Sequence, residues 1–213
     1  MKEALAILGG TGKLGKGLVT RWARAGRPIV VGSRDAEKGR MAAGELRQKV
    51  PGSEIQGTSN RDAAESAGII VSALPHQSHL EILAELGEAL EGKLLIVTTI
   101  AWPPRLSGEP SAAEAVRERL GTTSQIVAAF QTVSARTLAR EHSEPEDVLV
   151  FSDDEPARRE SCALVDETGL RGIDAGPLQG ARAAEAMTGI LLAINRRYRV
   201  PFSGIRITGL GSS

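Results

Sequence analysis

Aromatic side chains make up only 3% of this 213-residue chain, and cysteine occurs once, as Cys162. So few aromatics leave no stacking platform of the kind that grips single-stranded nucleic acid. One thiol excludes an intramolecular disulfide framework and fits a reducing compartment. Charge of one sign is not in excess either: 26 Lys and Arg stand against 26 Asp and Glu, so no global field recruits a polyanion. Apolar runs such as LLIVTTIAW at 94–102 are far too short to span a bilayer. No secretory leader is legible, because Glu3 comes early and Gly9 and Gly10 interrupt the first apolar run. The expectation is a cytoplasmic globular protein that binds neither nucleic acid nor membrane.

What is present is a regular alternation of short apolar, β-branched runs with helical patterns, the pattern of a parallel α/β sheet. Strands are expected at 4–8, 28–34, 54–59, 68–74, 93–99, 125–130, 147–153 and 170–176. Asp35 is placed to cap the helix after the second strand, and Gly26 to end the helix before it. A helix is expected from Pro75 through about Leu90, and another from Ser111, which forms a capping box with Glu114. A segment at 155–169 and a long final stretch at 178–197 complete the helices. A single extended sheet with a helical cap and a two-domain division, 1–130 and 131–213, account for the pattern equally well.

The stretch GGTGKLGKG at 9–17 carries the chemistry. As a triphosphate loop it matches G-x-x-x-x-G-K but ends on Gly17, where a Ser or Thr hydroxyl must hold Mg²⁺. As a dinucleotide loop, Gly10-Thr11-Gly12-Lys13-Leu14-Gly15 is G-x-G-x-x-G directly after a buried strand and at the start of a helix. Gly10 makes the tight turn, Gly12 lets the backbone approach a pyrophosphate, and Gly15 lets the helix pack on the sheet. The pyrophosphate then sits at the helix N-terminus, where free N–H groups and the positive end of the dipole favour it. The fold class expected is α/β, a Rossmann-type doubly wound, mostly parallel sheet with a smaller C-terminal helical cap region.

The end of the second strand selects the cofactor. NAD sites place a carboxylate there for the ribose hydroxyls; NADP sites replace it with small polar and cationic groups. This strand ends VVGSRD at 30–35. Ser33 can donate to a 2′-phosphate, Arg34 can lay its guanidinium along it, and Lys38 adds a cation in the next helix's first turn. Asp35 is better used as the N-cap than as a ribose ligand. NADP is the cofactor expected.

The segments LGGTGKLGKGL at 8–18, VVGSRD at 30–35, SALP at 72–75 and DAGPL at 174–178, in this order and followed by a long helix, resemble the F420-dependent NADP reductases. That family passes hydride between NADP(H) and the deazaflavin coenzyme F420. Carried over by position, the resemblance implies NADP contacts at Thr11, Gly12, Lys13 and Leu14, at Ser33, Arg34 and Lys38 around the 2′-phosphate, at Leu74 and Pro75 beside the nicotinamide, and at Ala135. It implies a deazaflavin pocket at Gln131, Thr132, Val133 and Ser134. Family members have a His–Thr–Ile–Pro-like sequence there; this chain has Gln131 at the His position, Val133 at Ile and Ser134 at Pro. The resemblance also implies a homodimer.

Direct hydride transfer between two ring cofactors needs no catalytic acid or base from the protein, which supplies proximity and exclusion of water. His76 and His79 are spaced i,i+3 in HQSH, but no Cys or carboxylate cluster completes a metal site, and His142 is expected in an exposed loop. Arg136, Arg140 and the run Arg196-Arg197-Tyr198-Arg199 offer charge for an acidic coenzyme tail, although cations at a helix C-terminus also simply complement its dipole. The final helix is apolar around most of its circumference, so its outer face is either buried within the chain or paired with a second copy. Two other functions remain open from sequence: an NADPH-dependent imine or ferric reductase, and a non-catalytic NADP sensor.

Overall fold

Strands covered on both faces carry unbroken apolar sequence, and that is what sets the architecture here. The computed structural model describes residues 2–103, 109–121, 124–140 and 146–210. Strands β1 (Leu5–Leu8), β2 (Ile29–Ser33), β3 (Ile55–Ser59), β4 (Ile69–Ser72), β5 (Leu94–Val97) and β6 (Gln125–Ala128) form one sheet in the order β3-β2-β1-β4-β5-β6. All five pairings are parallel. The chain winds outward from β1 to β3, then crosses back to lay β4 beside β1. The crevice outside the carboxyl ends of β1 and β4 is therefore the topological switch point, where such sheets bind ligands.

Helices cover both faces. Leu5 and Ile7 point to one side, against α1 (Lys13–Arg24) and α2 (Ala36–Lys49). Ala6 and Leu8 point to the other, against α3 (Asn60–Glu65), α4 (His79–Leu86) and α5 (Ala112–Leu120). Caps fix several of these starts: Asp35 accepts the Glu37 and Lys38 amides, Ser59 accepts the Asp62 amide, and Ser111 with Glu114 completes the capping box read from sequence. Gly26, at φ +76°, ends α1 as expected.

The eight expected strands are all present but divide six and two. β7 (Asp147–Val150), α7 (Glu155–Asp166) and β8 (Arg171–Asp174) form a separate parallel βαβ unit. It joins the main sheet by one antiparallel bridge, in which Ala128 and Phe151 exchange N–H···O bonds of 2.8 and 3.0 Å. β6 stops at Ala128 rather than at 130, because Phe130 turns the chain at φ +70° and packs edge-on against Trp22 with ring centroids 5.8 Å apart. α8 (Ala181–Tyr198) ends the described helices.

Two expectations need correction. The helix placed from Pro75 begins only at His79: residues 75–78 form a turn closed by a Ser78 N–H to Pro75 carbonyl bond of 3.1 Å. That helix also gives way at Gly87 to a 3-10 turn ending at Leu90. The short α6 (Ala135–Leu138) was not anticipated. It docks on α1 because Gly17 has no side chain; a Cβ there would lie 2.7 Å from Leu138 Cβ. Gly17, which excluded the triphosphate reading, is thus a packing residue. Arg21, one turn on, donates to the carbonyls of Thr137, Leu138, Arg140 and Thr168, tying α1 to this region.

Candidate active site

At the switch point the chain leaves β1 through Gly9 at φ +69°, a conformation that disfavours any side chain. A Cβ on Gly9 would also meet the Ala73 carbonyl at 2.8 Å. The Gly9 amide is held by Asn60 Oδ1 at 3.2 Å, and the Gly10 amide by the Gly32 carbonyl at 3.0 Å. The Asn60 amide reaches Gly9 only because Gly32, in its path, lacks a side chain; a Cβ there would stand 2.8 Å from Asn60 Oδ1. A Cβ on Gly15 would likewise stand 2.7 Å from Gly10 Cα, so the first turn of α1 sits hard against the loop.

Gly12 behaves differently. It is exposed and its Cβ direction is open apart from the Gly9 carbonyl at 3.4 Å. Its backbone therefore faces free space at the N-terminus of α1, where no side chain caps the helix and no acid occupies the first turn. A diphosphate fits that space: unpaired helix N–H groups and the positive dipole end meet it, and a side chain at position 12 would fill it.

Two connected clefts open on this loop. The first, of about 450 Å³, is lined by Thr11, Gly12, Ser33, Arg34, Asp35, Lys38, Asn60 and Leu74 among others. Arg34 and Lys38 are exposed, and neither side chain is engaged in a hydrogen bond or ion pair among the described residues. Asp35, by contrast, is committed to its capping bonds at 2.9 and 3.4 Å. Ser33 Oγ accepts the Asp35 amide at 3.4 Å, which leaves its own proton to donate. A carboxylate spent on a helix cap, beside two free cations, suits a 2′-phosphate better than a 2′-hydroxyl.

The second cleft, of about 480 Å³, shares Gly12, Leu74 and Pro75 with the first and extends along Lys13, Leu14, His76, Thr98, Thr99, Ile100 and Trp102. Its floor is fixed by two buried hydroxyls: Thr98 donates to the Ser72 carbonyl and Thr99 to the Leu74 carbonyl, each at 2.9 Å. This zips the carboxyl ends of β4 and β5 and locks the Leu74–Pro75 wall. Apolar walls of this size suit a flat ring.

His76 borders that cleft and stacks obliquely on His79, ring centroids 5.6 Å apart. His79 is buried, and its Nδ1 has no partner among the described residues. Burial, with the neighbouring His76 second, pushes its pKa down from 6.5 to about 4. The unfolded chain therefore takes up a proton near pH 6.5 that the folded chain refuses until about pH 4. Stability is full above pH 6.5 and is lost as pH falls through this window. For this one group the loss between pH 7 and pH 5 is about 2 kcal/mol. Replacing His79 with leucine is expected to remove that part of the acid slope in urea titrations at the two pH values. An unchanged slope would assign the acid sensitivity elsewhere. No group of three or more His, Cys, Asp or Glu suited to a metal occurs among the described residues.

Of the residues singled out by sequence, Thr11, Gly12, Lys13, Leu14, Ser33, Arg34, Lys38, Leu74 and Pro75 come together around these clefts, with Gly10 and Gly15 buried behind them. Gln131, Thr132 and Val133 do not line either cleft; they are buried, with Gln131 Nε2 donating to the Val97 carbonyl at 3.0 Å. Ser134 caps α6 through the Arg136 amide, at 3.1 Å, and Ala135 is half-buried at its start. His142 lies outside the described residues. DAGPL is a turn: Asp174 accepts the Gly176 amide at 3.0 Å and Leu178 is buried. Sequence reading missed Asn60, Thr98, Thr99 and Trp102. Asn60 carried a signal, since it directly follows the carboxyl end of the expected third strand, 54–59.

A parallel sheet with this strand order, a glycine loop at its switch point and free cations at the end of β2 define a Rossmann-type nicotinamide-dinucleotide protein. Residues 4–100 match the family described as NADP oxidoreductase, coenzyme F420-dependent. The chain is 38% identical to the F420-dependent NADP reductase of Methanothermobacter thermautotrophicus over 99% of this chain and 97% of that protein. It is 34% identical to the F420-dependent NADP reductase of Methanocaldococcus jannaschii over 97% of this chain and 98% of that one. This chain belongs to the F420-dependent NADP reductase family. Among solved structures, a hypothetical protein from Sinorhizobium meliloti aligns with a TM-score of 0.68 at 21% identity, over 84% of this chain and 86% of that one, a likeness of fold.

Proposed function

We propose that this chain is an oxidoreductase that transfers hydride between NADP(H) and the deazaflavin coenzyme F420. The observation that carries the reading is similarity over nearly the whole length to reductases of that name. The free Arg34 and Lys38 beside the glycine loop support the NADP half. The cofactors supply the hydride chemistry; the protein supplies position and dryness. Backbone N–H groups at Lys13 and Leu14 take the diphosphate, while Ser33, Arg34 and Lys38 take the 2′-phosphate. Leu74 and Pro75, locked by Thr98 and Thr99, hold the nicotinamide ring against one wall. Ile100 and Trp102 close the opposite side and keep water from the reacting carbons. The segment 131–135 contributes from beneath, by setting the end of β5 through Gln131, and residues 131–213 as a whole complete the ring end of the site. The test is direct: purified protein with NADPH and F420 should bleach the oxidised deazaflavin absorbance. Tight NADPH binding without bleaching would leave a sensor rather than an enzyme.

The working unit in this reading is a homodimer. α8 turns Ala181, Ala184, Glu185 and Leu191 to the body of the molecule. Its other side leaves Met187, Ile190, Ile194 and Tyr198 exposed at helical spacing, continuous with exposed Val200. Small Ala183, Ala186 and Ala193 allow a second α8 to approach closely. Light scattering at micromolar concentration should give twice 22.4 kDa; a mass of one chain would contradict the dimer.

A further inference from the structure

Glu185, in the second turn of α8, is only 5% exposed and lines a cavity of about 200 Å³ beside the ring-end cleft. Its two carboxylate oxygens are used on two widely separated amides. Oε2 accepts from Ala101 N–H and Oε1 from Ala112 N–H, each at 2.8 Å. Ala101 stands four residues beyond the end of β5, and Ala112 is the first residue of α5. One side chain thus ties Ala101 to the start of α5. Arg182, three residues earlier on the same helix face, forks onto both oxygens of Glu114 at 2.8 Å. Glu114 in turn closes the capping box on Ser111. α8 therefore grips Ala101 and the start of α5 through two carboxylates.

The charge is held at a cost. Burial and the nearby Glu114 push the Glu185 carboxyl upward, opposed by the two amide bonds. An apolar residue would fill the same space without that cost. What an apolar residue cannot do is accept from two backbone donors at once. Trp102 and Ile100, the outer wall of the ring-end cleft, flank Ala101 in the chain.

We propose that Glu185 is a positioning residue: by holding the Ala101 and Ala112 amides together it sets the Ile100–Trp102 wall against which the second ring must lie. The proposal rests on the reading of that cleft as the ring end of an F420-dependent reductase.

The test uses Glu185→Gln, which keeps the volume but leaves one oxygen for two amides. A second variant, Ala112→Pro, deletes one clamped N–H without touching Glu185. Proline is favoured at the first helical position, and Ser111 at φ −65°, ψ 162° already has the conformation that must precede it. Both variants are examined by amide hydrogen exchange with NADPH present, then by steady-state kinetics. Exchange should quicken in peptides covering Ala101 and residue 112 while β5 and the rest of α5 stay protected. In Glu185→Gln the KM for F420 should rise about tenfold, with the KM for NADPH within about twofold of wild type. Unchanged exchange in both variants would overturn the clamp. Quickened exchange with both KM values moving together, or neither moving, would overturn the positioning role. Absence of F420 turnover in the wild type would sink the functional reading, while the exchange arm still decides the clamp.

Discussion

Arg34→Glu should weaken NADPH binding by about two orders of magnitude or more while changing NADH binding little. The expectation follows from what surrounds the position. Arg34 is exposed on the first cleft, with Ser33 and Lys38 beside it and Asp35 spent on its cap. A guanidinium on a dianionic phosphate makes charge-assisted, forked hydrogen bonds, worth about 1.5–3 kcal/mol each. Glutamate removes those bonds and adds repulsion at the same point, and each 1.4 kcal/mol or so is a factor of about ten. NADH carries no 2′-phosphate and loses only a stacking surface. Fluorescence titration with both dinucleotides reads the difference. Equal losses for the two would mean that Arg34 does not meet the 2′-phosphate.

The largest effect on stability is expected at Gly57. α2 crosses β3 so closely that Gly57 and Gly39 meet backbone to backbone. A Cβ on Gly57 would overlap the Gly39 carbonyl and come within 2.8 Å of the Arg40 amide. The clashing atoms are main chain, so no rotamer change relieves them. Gly57→Ala should cost about 3 kcal/mol, which for a chain of this size lowers Tm by about 6–12 °C. Because α2 carries Lys38 and is capped by Asp35, pushing it off the sheet should also weaken NADPH binding. Gly44, in the same helix, is the control: nothing lies within 4 Å of its Cβ direction. Gly44→Ala should stabilise by about 0.5–1 kcal/mol through helix propensity alone. Urea unfolding of the pair separates close packing from propensity; two similar values would refute the crossing.

Why some of this was legible and some not follows from range. Capping by Asp35 and Ser111, the turn at Gly26 and the buried strands depend on neighbours within a few residues, and local pattern specifies them. The nucleotide loop was legible because its glycines answer to a turn, a helix start and an adjacent strand. Gly17, Gly32 and Gly57 looked like ordinary small residues. Each is small because a partner far along the chain approaches it: Leu138, the Asn60 amide and the Gly39 carbonyl in turn. The split of the sheet after β6 was hidden for the same reason, since it turns on Phe130 meeting Trp22 across more than a hundred residues. Glu185 gave no signal at all: in sequence it is one acid on an apolar helix, and only the fold brings Ala101 and Ala112 to its two oxygens.

The central claim is that one ring hands hydride straight to another in the cleft between Leu74–Pro75 and Ile100–Trp102. Incubating the protein with F420 and NADPH deuterated at C4 of the nicotinamide, on each face in turn, and weighing the reduced deazaflavin by mass spectrometry tests it most directly. One of the two labelled faces should deliver a single deuterium to the product in ordinary water, and unlabelled NADPH in heavy water should deliver none at that carbon. Deuterium acquired there from solvent, or no reduced deazaflavin with either label, would contradict the account.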